Sequence, residues 1–174
     1  MNWEAAGAVG EILSAIVVVA TMFYLATQIR QSQRSNQMVA ASRVSESADA
    51  WLGQLVRDEM LNDIYQKGIR DYESLELSDR NRFELLIMQF LRAIEGAWIN
   101  QELGFLDQRV WYGYKITTQR VVGTPGGTIA FNKQRMGFSP EFSAAIDDMI
   151  STTDGLQPLS LPLASKLMGE VEYK

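Results

Sequence analysis

Three glutamates in the middle of this sequence are candidates for catalysis or cation binding. Glu84, Glu95 and Glu102 fall on or near one predicted helix, with Arg92 close by. Glu84 and Glu95 are about three helical turns apart, so they occupy similar faces. Paired carboxylates can carry out acid–base catalysis or bind a cation, but they more often pair with arginines on a neighbouring helix. We favour the ion-pair interpretation.

A glycine-rich stretch at residues 123–128 precedes a predicted helix, which is a setting that can bind phosphate. The Gly-Lys-Ser/Thr ending of a P-loop is missing from it. We therefore predict a plain turn between helices here.

The absence of certain residue types excludes many kinds of site. The chain has no cysteine and no histidine. Disulfides, ordinary Cys/His zinc sites, haem ligation by these residues, His-based catalytic triads and the ferritin-like di-iron site are therefore excluded. The net charge of −5 argues against a general nucleic-acid binder. We expect no catalytic residue, no cofactor and no metal.

The N-terminal region predicts a membrane anchor. Residues 5–29 are mostly large and apolar, and Glu11 is their only carboxylate. A helix of this length reaches about 37 Å, enough to cross a hydrocarbon core of roughly 30 Å. A signal peptide is disfavoured because no positive charge precedes the apolar run and no small-residue cleavage site follows it. A buried helix of a soluble protein is the alternative, but the run is apolar on nearly every face.

The distribution of basic residues predicts the orientation of this anchor. All 16 lysines and arginines lie at Arg30 or beyond. The positive-inside rule therefore places the N-terminus outside and the rest of the chain in the cytoplasm.

One face of the predicted span carries polar and small residues, which could associate with another helix. These residues are Gly7, Gly10, Glu11, Ser14, Thr21 and Gln28. A carboxylate inside a span is costly and therefore suggests function. Three interpretations stay open: a packing face that tolerates an acid near the interface, specific association with a second copy or another membrane subunit, and a pore lined by Glu11.

A second candidate surface combines basic and aromatic residues without any acid. Its basic members are Arg109, Lys115, Arg120, Lys133 and Arg135, and its aromatic members are Trp111, Tyr112, Tyr114 and Phe131. Such a segment could rest on an anionic membrane surface. We favour the alternative, a solvated helix face whose aromatic side chains fill the core.

Helical periodicity dominates the chain after the anchor. No proline or glycine interrupts residues 12–52, so the anchor should continue into a helix over residues 30–56. Its predicted inner stripe is Met38, Ala41, Ser45, Ala48, Leu52 and Leu55. Further helices are predicted over residues 58–72, from a cap at Ser78 to 103, from a cap at Asp107 to 122, over 128–136, and from Ser139-Pro140 to 151. The predicted core face of the third is Phe83, Ile87, Phe90, Leu91, Ile94 and Trp98.

The N-terminal residues also carry a resemblance. The chain begins Trp3-Glu4-Ala5-Ala6-Gly7-Ala8-Val9-Gly10-Glu11, continues with Tyr24-Leu25-Ala26-Thr27-Gln28-Ile29-Arg30-Gln31, and later reads Phe138-Ser139-Pro140-Glu141-Phe142. This pattern resembles a group of uncharacterised bacterial proteins with a "WEAxGAxGE" start, one span and a helical tail. The resemblance implies a bacterial inner-membrane setting and no particular activity.

Together these features predict an all-α protein with one N-terminal transmembrane helix that continues into a cytoplasmic bundle of about five to six helices. The predicted divisions are an anchor at 1–29, a helical domain at 30–152 and an extended tail at 153–174. We expect a non-enzymatic protein that binds the lipid bilayer and either self-associates or serves as an accessory subunit of a membrane complex. A homo-oligomeric channel with Glu11 lining the pore is the alternative.

Overall fold

The computed structural model describes residues 3–153 and 155–159, without the side chains of residues 3–10, 12, 13, 15 and 34. The chain forms two compact units, one up to Val39 and one from Ala40 onward. Helix α1, Trp3–Arg57, includes residues of both units. The predicted helical continuity of residues 5–29 with residues 30–56 is confirmed.

The described residues are all-helical and contain six α-helices and no strand. After α1 these are α2 (Glu59–Arg70), α3 (Leu77–Glu102), α4 (Gln108–Val122), α5 (Pro125–Gln134) and α6 (Pro140–Ser151). Short 3-10 helices lie at Tyr72–Ser74 and Arg135–Gly137. The all-α prediction is confirmed.

Most helix starts are set by local capping. The side chains of Asp107 and Ser139 accept hydrogen bonds from the backbone of the first turns of α4 and α6, as predicted. The predicted cap at Ser78 is wrong, because α3 begins at Leu77 after Glu76. No side chain caps the start of α3, and Arg80 instead holds the preceding turn, where its Nε donates to the carbonyl of Leu75 at 2.8 Å.

The buried face of α1 agrees with the predicted stripe only in part. Leu55 is buried as predicted, Ala41, Ala48 and Leu52 are half-buried, and the other two predicted residues are exposed. Ala40, Val44, Trp51 and Leu55 are buried, whereas Met38 is 68% exposed. Ser45 is exposed as well. Trp51 lies on the buried face of the helix, and its Nε1 donates to the carbonyl of Leu86 at 2.9 Å.

Helix α3 supplies the centre of the core, as predicted. Phe83, Ile87, Phe90, Leu91 and Ile94 are buried. Trp98, the last residue of the predicted face, is only half-buried, with its ring centroid 5.8 Å from that of Phe142.

The glycine-rich stretch was predicted to be a turn followed by a helix from residue 128. Helix α5 instead begins at Pro125, with the side chain of Thr124 accepting a hydrogen bond from the Gly127 N–H at 3.0 Å. The glycines are needed for packing: a Cβ on Gly126 would lie 1.7 Å from the carbonyl oxygen of Gly68 in α2. Only a residue without a side chain permits this crossing of α5 and α2.

The described part of the predicted tail begins with a turn and then lies against the helical domain. Beyond α6, Gly155 has a φ of 83°, and residues 156–159 have no regular secondary structure. The backbone N–H of Leu159 donates to the carbonyl of Arg120 in α4 at 3.2 Å. The later part of the predicted tail lies outside the described residues.

Replacement of Gly126 by alanine tests the helix crossing. We expect Gly126→Ala to lower the free energy of unfolding by about 3 kcal/mol, because the new methyl group meets backbone that has to move. The matched control is Gly113→Ala in α4, where an added Cβ meets nothing within 4 Å. The control should raise stability by about 0.5–1 kcal/mol. Guanidinium unfolding in mild detergent, followed by circular dichroism, measures both, and equal effects would contradict the close crossing.

Candidate functional site

The most unusual surface of the molecule is the apolar segment of α1, residues 16–29. Every residue in it is exposed within the first unit. Val17, Val18 and Val19 point in three directions about 100° apart, yet each is more than half exposed. Phe23 is 70% exposed. A helix apolar all round is typical of a buried or membrane-embedded helix, since a water-facing helix normally has a polar face.

Among the helices of the described residues, none has both the length and the apolar character needed to cross a membrane. The side chains of Ile12, Leu13 and Ala15 lie outside the described residues.

The structure describes the surroundings of four of the six residues of the predicted association face. Glu11, Ser14, Thr21 and Gln28 are exposed, whereas the surroundings of Gly7 and Gly10 lie outside the described residues. The Thr21 hydroxyl donates to the carbonyl of Val17 at 2.8 Å. That hydroxyl therefore has its donor satisfied within its own helix and needs no partner in an apolar medium.

The five basic residues of the second candidate surface each contact an acceptor in the chain. Arg109 pairs with Asp107, Lys115 with Asp148, Lys133 with Glu84, Arg135 with Asp147, and Arg120 with backbone carbonyls. Among their aromatic neighbours Phe131 is buried, Trp111 and Tyr114 are half-buried, and Tyr112 is exposed. This placement supports the interpretation of a solvated face whose aromatic side chains mostly fill the core.

Glu84 belongs to a polar cluster with Tyr72 and Lys133, called here the Glu84 cluster. The Lys133 Nζ donates to a Glu84 carboxylate oxygen at 2.8 Å and to the Tyr72 hydroxyl oxygen at 2.5 Å. The Tyr72 hydroxyl donates to the same carboxylate. Two cations lie close to the tyrosine ring, with the Lys133 Nζ 4.7 Å and the Arg80 Cζ 5.2 Å from the ring centroid. The three groups satisfy one another and join α5 to α3 and to the first 3-10 helix.

Sequence reasoning missed two members of this cluster. It expected arginines as partners of the glutamates, whereas Glu84 is paired with a lysine 49 positions away and with a tyrosine. No spacing rule connects such distant positions. The one available signal was that a glutamate on the core helix requires a cationic partner if it is partly buried.

The other two glutamates do not join Glu84. Glu95 accepts hydrogen bonds from Arg92 at 2.9 Å and from the backbone N–H of Ser139 at 3.2 Å. It thereby anchors the start of α6. Glu102 is exposed near the end of α3. Within the described ranges no three acidic side chains come together in a group that could hold a metal ion.

The glycine-rich stretch has no room for a phosphate, because its glycines are packed against other backbone. Gly126 and Gly127 are buried, and a Cβ on Gly127 would lie 2.0 Å from the carbonyl oxygen of Val121. The N–H of Gly127 already donates to Thr124. The start of α5 is therefore used for helix packing.

Electrostatics of the Glu84 cluster give a pH-dependent prediction. Burial raises the pKa of Glu84, but the hydrogen bonds from Lys133 and Tyr72 and the charges of Lys133 and Arg80 outweigh burial and leave the pKa below its ordinary value. A carboxyl whose pKa is lowered on folding stabilises the fold above its unfolded pKa and loses that effect as pH falls through the folded pKa.

We therefore expect Glu84→Gln to cost about 1 kcal/mol of unfolding free energy at pH 7. The cost should persist at pH 5, begin to shrink as pH falls below the ordinary glutamate pKa of about 4.5, and disappear only once pH has fallen through the lower pKa of the folded state, where the wild-type glutamate is also neutral. Urea unfolding at a series of pH values measures it. The matched control is Glu73→Gln, which removes a carboxylate that is 72% exposed and paired with Arg80, and it should change little. A cost for Glu84→Gln that is independent of pH would contradict the ion pair.

Comparison of the chain with known protein families, with curated proteins and with solved structures found no match. Among the described residues, the exposed apolar segment of α1 is the feature that points most directly to a function.

Proposed function

We propose that this protein is a membrane-anchored, non-enzymatic helical protein that self-associates or serves as an accessory subunit of a bacterial inner-membrane complex. The observation that carries the proposal is the exposure of residues 16–29 on all sides of α1. Within the described part of the second unit, by contrast, most large apolar side chains belong to the core.

The energetics favour lipid as the surroundings of this segment. Moving one exposed valine, leucine, isoleucine or phenylalanine side chain out of water contributes about 1.5–3 kcal/mol. The segment exposes eight large apolar side chains of this kind: Ile16, Val17, Val18, Val19, Met22, Phe23, Leu25 and Ile29. A carboxylate such as Glu11 costs about 2.5–3.5 kcal/mol at the centre of a membrane and less near its surface. The apolar gain therefore exceeds the cost of the acid.

The proposed span covers residues 5–29 and has the N-terminus outside. It includes sequence before residue 16, where Ile12 and Leu13 add apolar length. Arg30 is the first of the 16 basic residues and follows the span directly, which supports a cytoplasmic location for the rest of the chain.

Small residues on the span support association with another helix. Ala6, Gly10 and Ser14 recur at every fourth position, so a neighbouring helix could approach closely along them. Glu11 lies beside this line and could donate or accept hydrogen bonds across the contact. The partner is either a second copy or another membrane subunit.

A pair of charges in the apolar segment tests the anchor. We expect Val18→Asp combined with Val19→Asp to release the protein from membranes, because each aspartate costs about 2.5–3.5 kcal/mol near the span centre. The matched control is Val39→Asp combined with Val56→Asp, which makes the same changes at exposed valines of α1 outside the proposed span. Alkaline carbonate extraction of membranes is the assay. Extraction of the wild-type protein, or retention of the Val18/Val19 variant, would contradict the anchor.

The oligomer is tested separately by light scattering of the protein in detergent. We expect a mass above that of the 19.6 kDa monomer, falling to the monomer in Gly10→Leu because the larger side chain separates the helices. Ala20→Leu is the control outside the small-residue line. A monomeric wild-type protein that also captures no stoichiometric membrane partner would contradict the proposal. Conductance in lipid bilayers that is abolished by Glu11→Gln would favour the channel instead.

A further inference from the structure

The chain beyond α6 folds back onto the helical domain at residues 157–159, called here the strap. Gly155 turns the chain with a φ of 83°, a conformation that L side chains rarely adopt. The backbone N–H of Leu156 closes the turn by donating to the carbonyl of Thr153 at 3.0 Å. The strap then meets Arg120 of α4 and Tyr65 of α2.

Four hydrogen bonds hold the strap, and all of them engage its main chain. Arg120 donates through Nε to the carbonyl of Gln157 at 2.9 Å and through Nη2 to the carbonyl of Pro158 at 3.4 Å. The Leu159 N–H donates to the carbonyl of Arg120 at 3.2 Å. The Tyr65 hydroxyl donates to the Leu159 carbonyl at 2.9 Å. Arg120 is thus both donor and acceptor for the same short segment.

Only one side chain of the strap enters the domain. Leu159 is half-buried and packs against the main core, whereas the side chains of Gln157 and Pro158 are exposed. The contacts therefore require an extended backbone and one apolar residue, which is how many peptide-binding surfaces recognise their ligands. Pro158 favours the extended form, because its ring fixes φ and reduces the entropy lost on ordering.

The hydroxyl group of Tyr65 keeps its proton and so remains a hydrogen-bond donor. Burial raises the pKa of its hydroxyl well above the ordinary value, and this outweighs the opposing effect of the Arg120 charge. The phenol therefore stays protonated and keeps donating to the Leu159 carbonyl throughout the physiological range.

We propose that the surface formed by Tyr65 of α2 and Arg120 of α4 is a peptide-docking surface, and that the strap is its displaceable ligand in the resting protein. The strap gains four hydrogen bonds and one apolar contact, while the ordering of residues 155–159 opposes them. A segment held by so few contacts opens more easily than the helices beneath it. The preferred ligand is an extended segment with one leucine, here supplied by the chain itself. This inference is independent of the membrane anchor.

Hydrogen exchange of the full-length protein tests whether the strap is displaceable. In Arg120→Gln we expect the Leu156 and Leu159 amides to exchange at least about tenfold faster, because a charged donor of two bonds is lost. Exchange in the core of α3 should not change. The matched control is Arg109→Gln, which removes an arginine of the same helix that contacts Asp107 instead. No acceleration in Arg120→Gln would overturn the proposal.

A second variant keeps this test decisive if Arg120→Gln unfolds the domain. Tyr65→Phe removes one hydroxyl and should also speed exchange of the Leu159 amide while leaving α3 protected. If the strap and α3 accelerate by the same factor in Tyr65→Phe, the strap is an integral part of the fold and the proposal fails.

Peptide binding tests the surface directly. The probe is a fluorescent peptide with the sequence of residues 155–162, and the protein is Leu159→Ser, whose own strap has lost its apolar anchor. We expect saturable binding to this variant and at least about tenfold weaker binding to the wild-type protein, where the tethered strap competes at high effective concentration. A peptide with serine in place of its residue-159 leucine is the control. Absence of saturable binding, or equal binding of the control peptide, would overturn the proposal.

Discussion

Helices α2 and α5 cross so closely that their backbones touch. The carbonyl oxygen of Gly68 occupies the place where any side chain at residue 126 would begin. The ring of Phe83 lies over the other side of Gly68, so that α3 joins the same crossing. Because backbone cannot yield as a flexible side chain does, this contact fixes the positions of three helices at once. The burial of Phe131 and the approach of Lys133 to Glu84 both depend on where α5 is held.

Polar side chains on and around α3 secure the helices that this crossing brings together. Glu84 binds Lys133 of α5, Glu95 binds the first backbone N–H before α6, and Trp51 of α1 donates to the Leu86 carbonyl. Each of these groups is wholly or largely enclosed and has a partner, as burial of a polar group requires. The features that first suggested chemistry therefore stabilise the fold. The features that we connect with function, the apolar segment of α1 and the strap, lie at the surface instead.

The two units use apolar residues in opposite ways. Among the described residues of the second unit most large apolar side chains pack into one main core, whereas residues 16–29 of the first unit expose theirs on every side. Sequence reasoning identified that segment because a run apolar on all faces has no amphipathic pattern to misread. It did not identify the strap, since backbone hydrogen bonds to Arg120 leave no signature in residue type.

The sequence by itself determined the all-α class, the caps at Asp107 and Ser139, and the core face of α3, because each depends on residues within a few positions of one another. The tertiary structure decided the centre of the buried face of α1, since the sequence pattern left out Trp51, whose Nε1 donates to the carbonyl of Leu86. It also decided the role of Gly126, which the sequence presents as an ordinary turn residue. A glycine that frees a turn and a glycine that admits another backbone look identical until the second backbone, here that of Gly68, is in place.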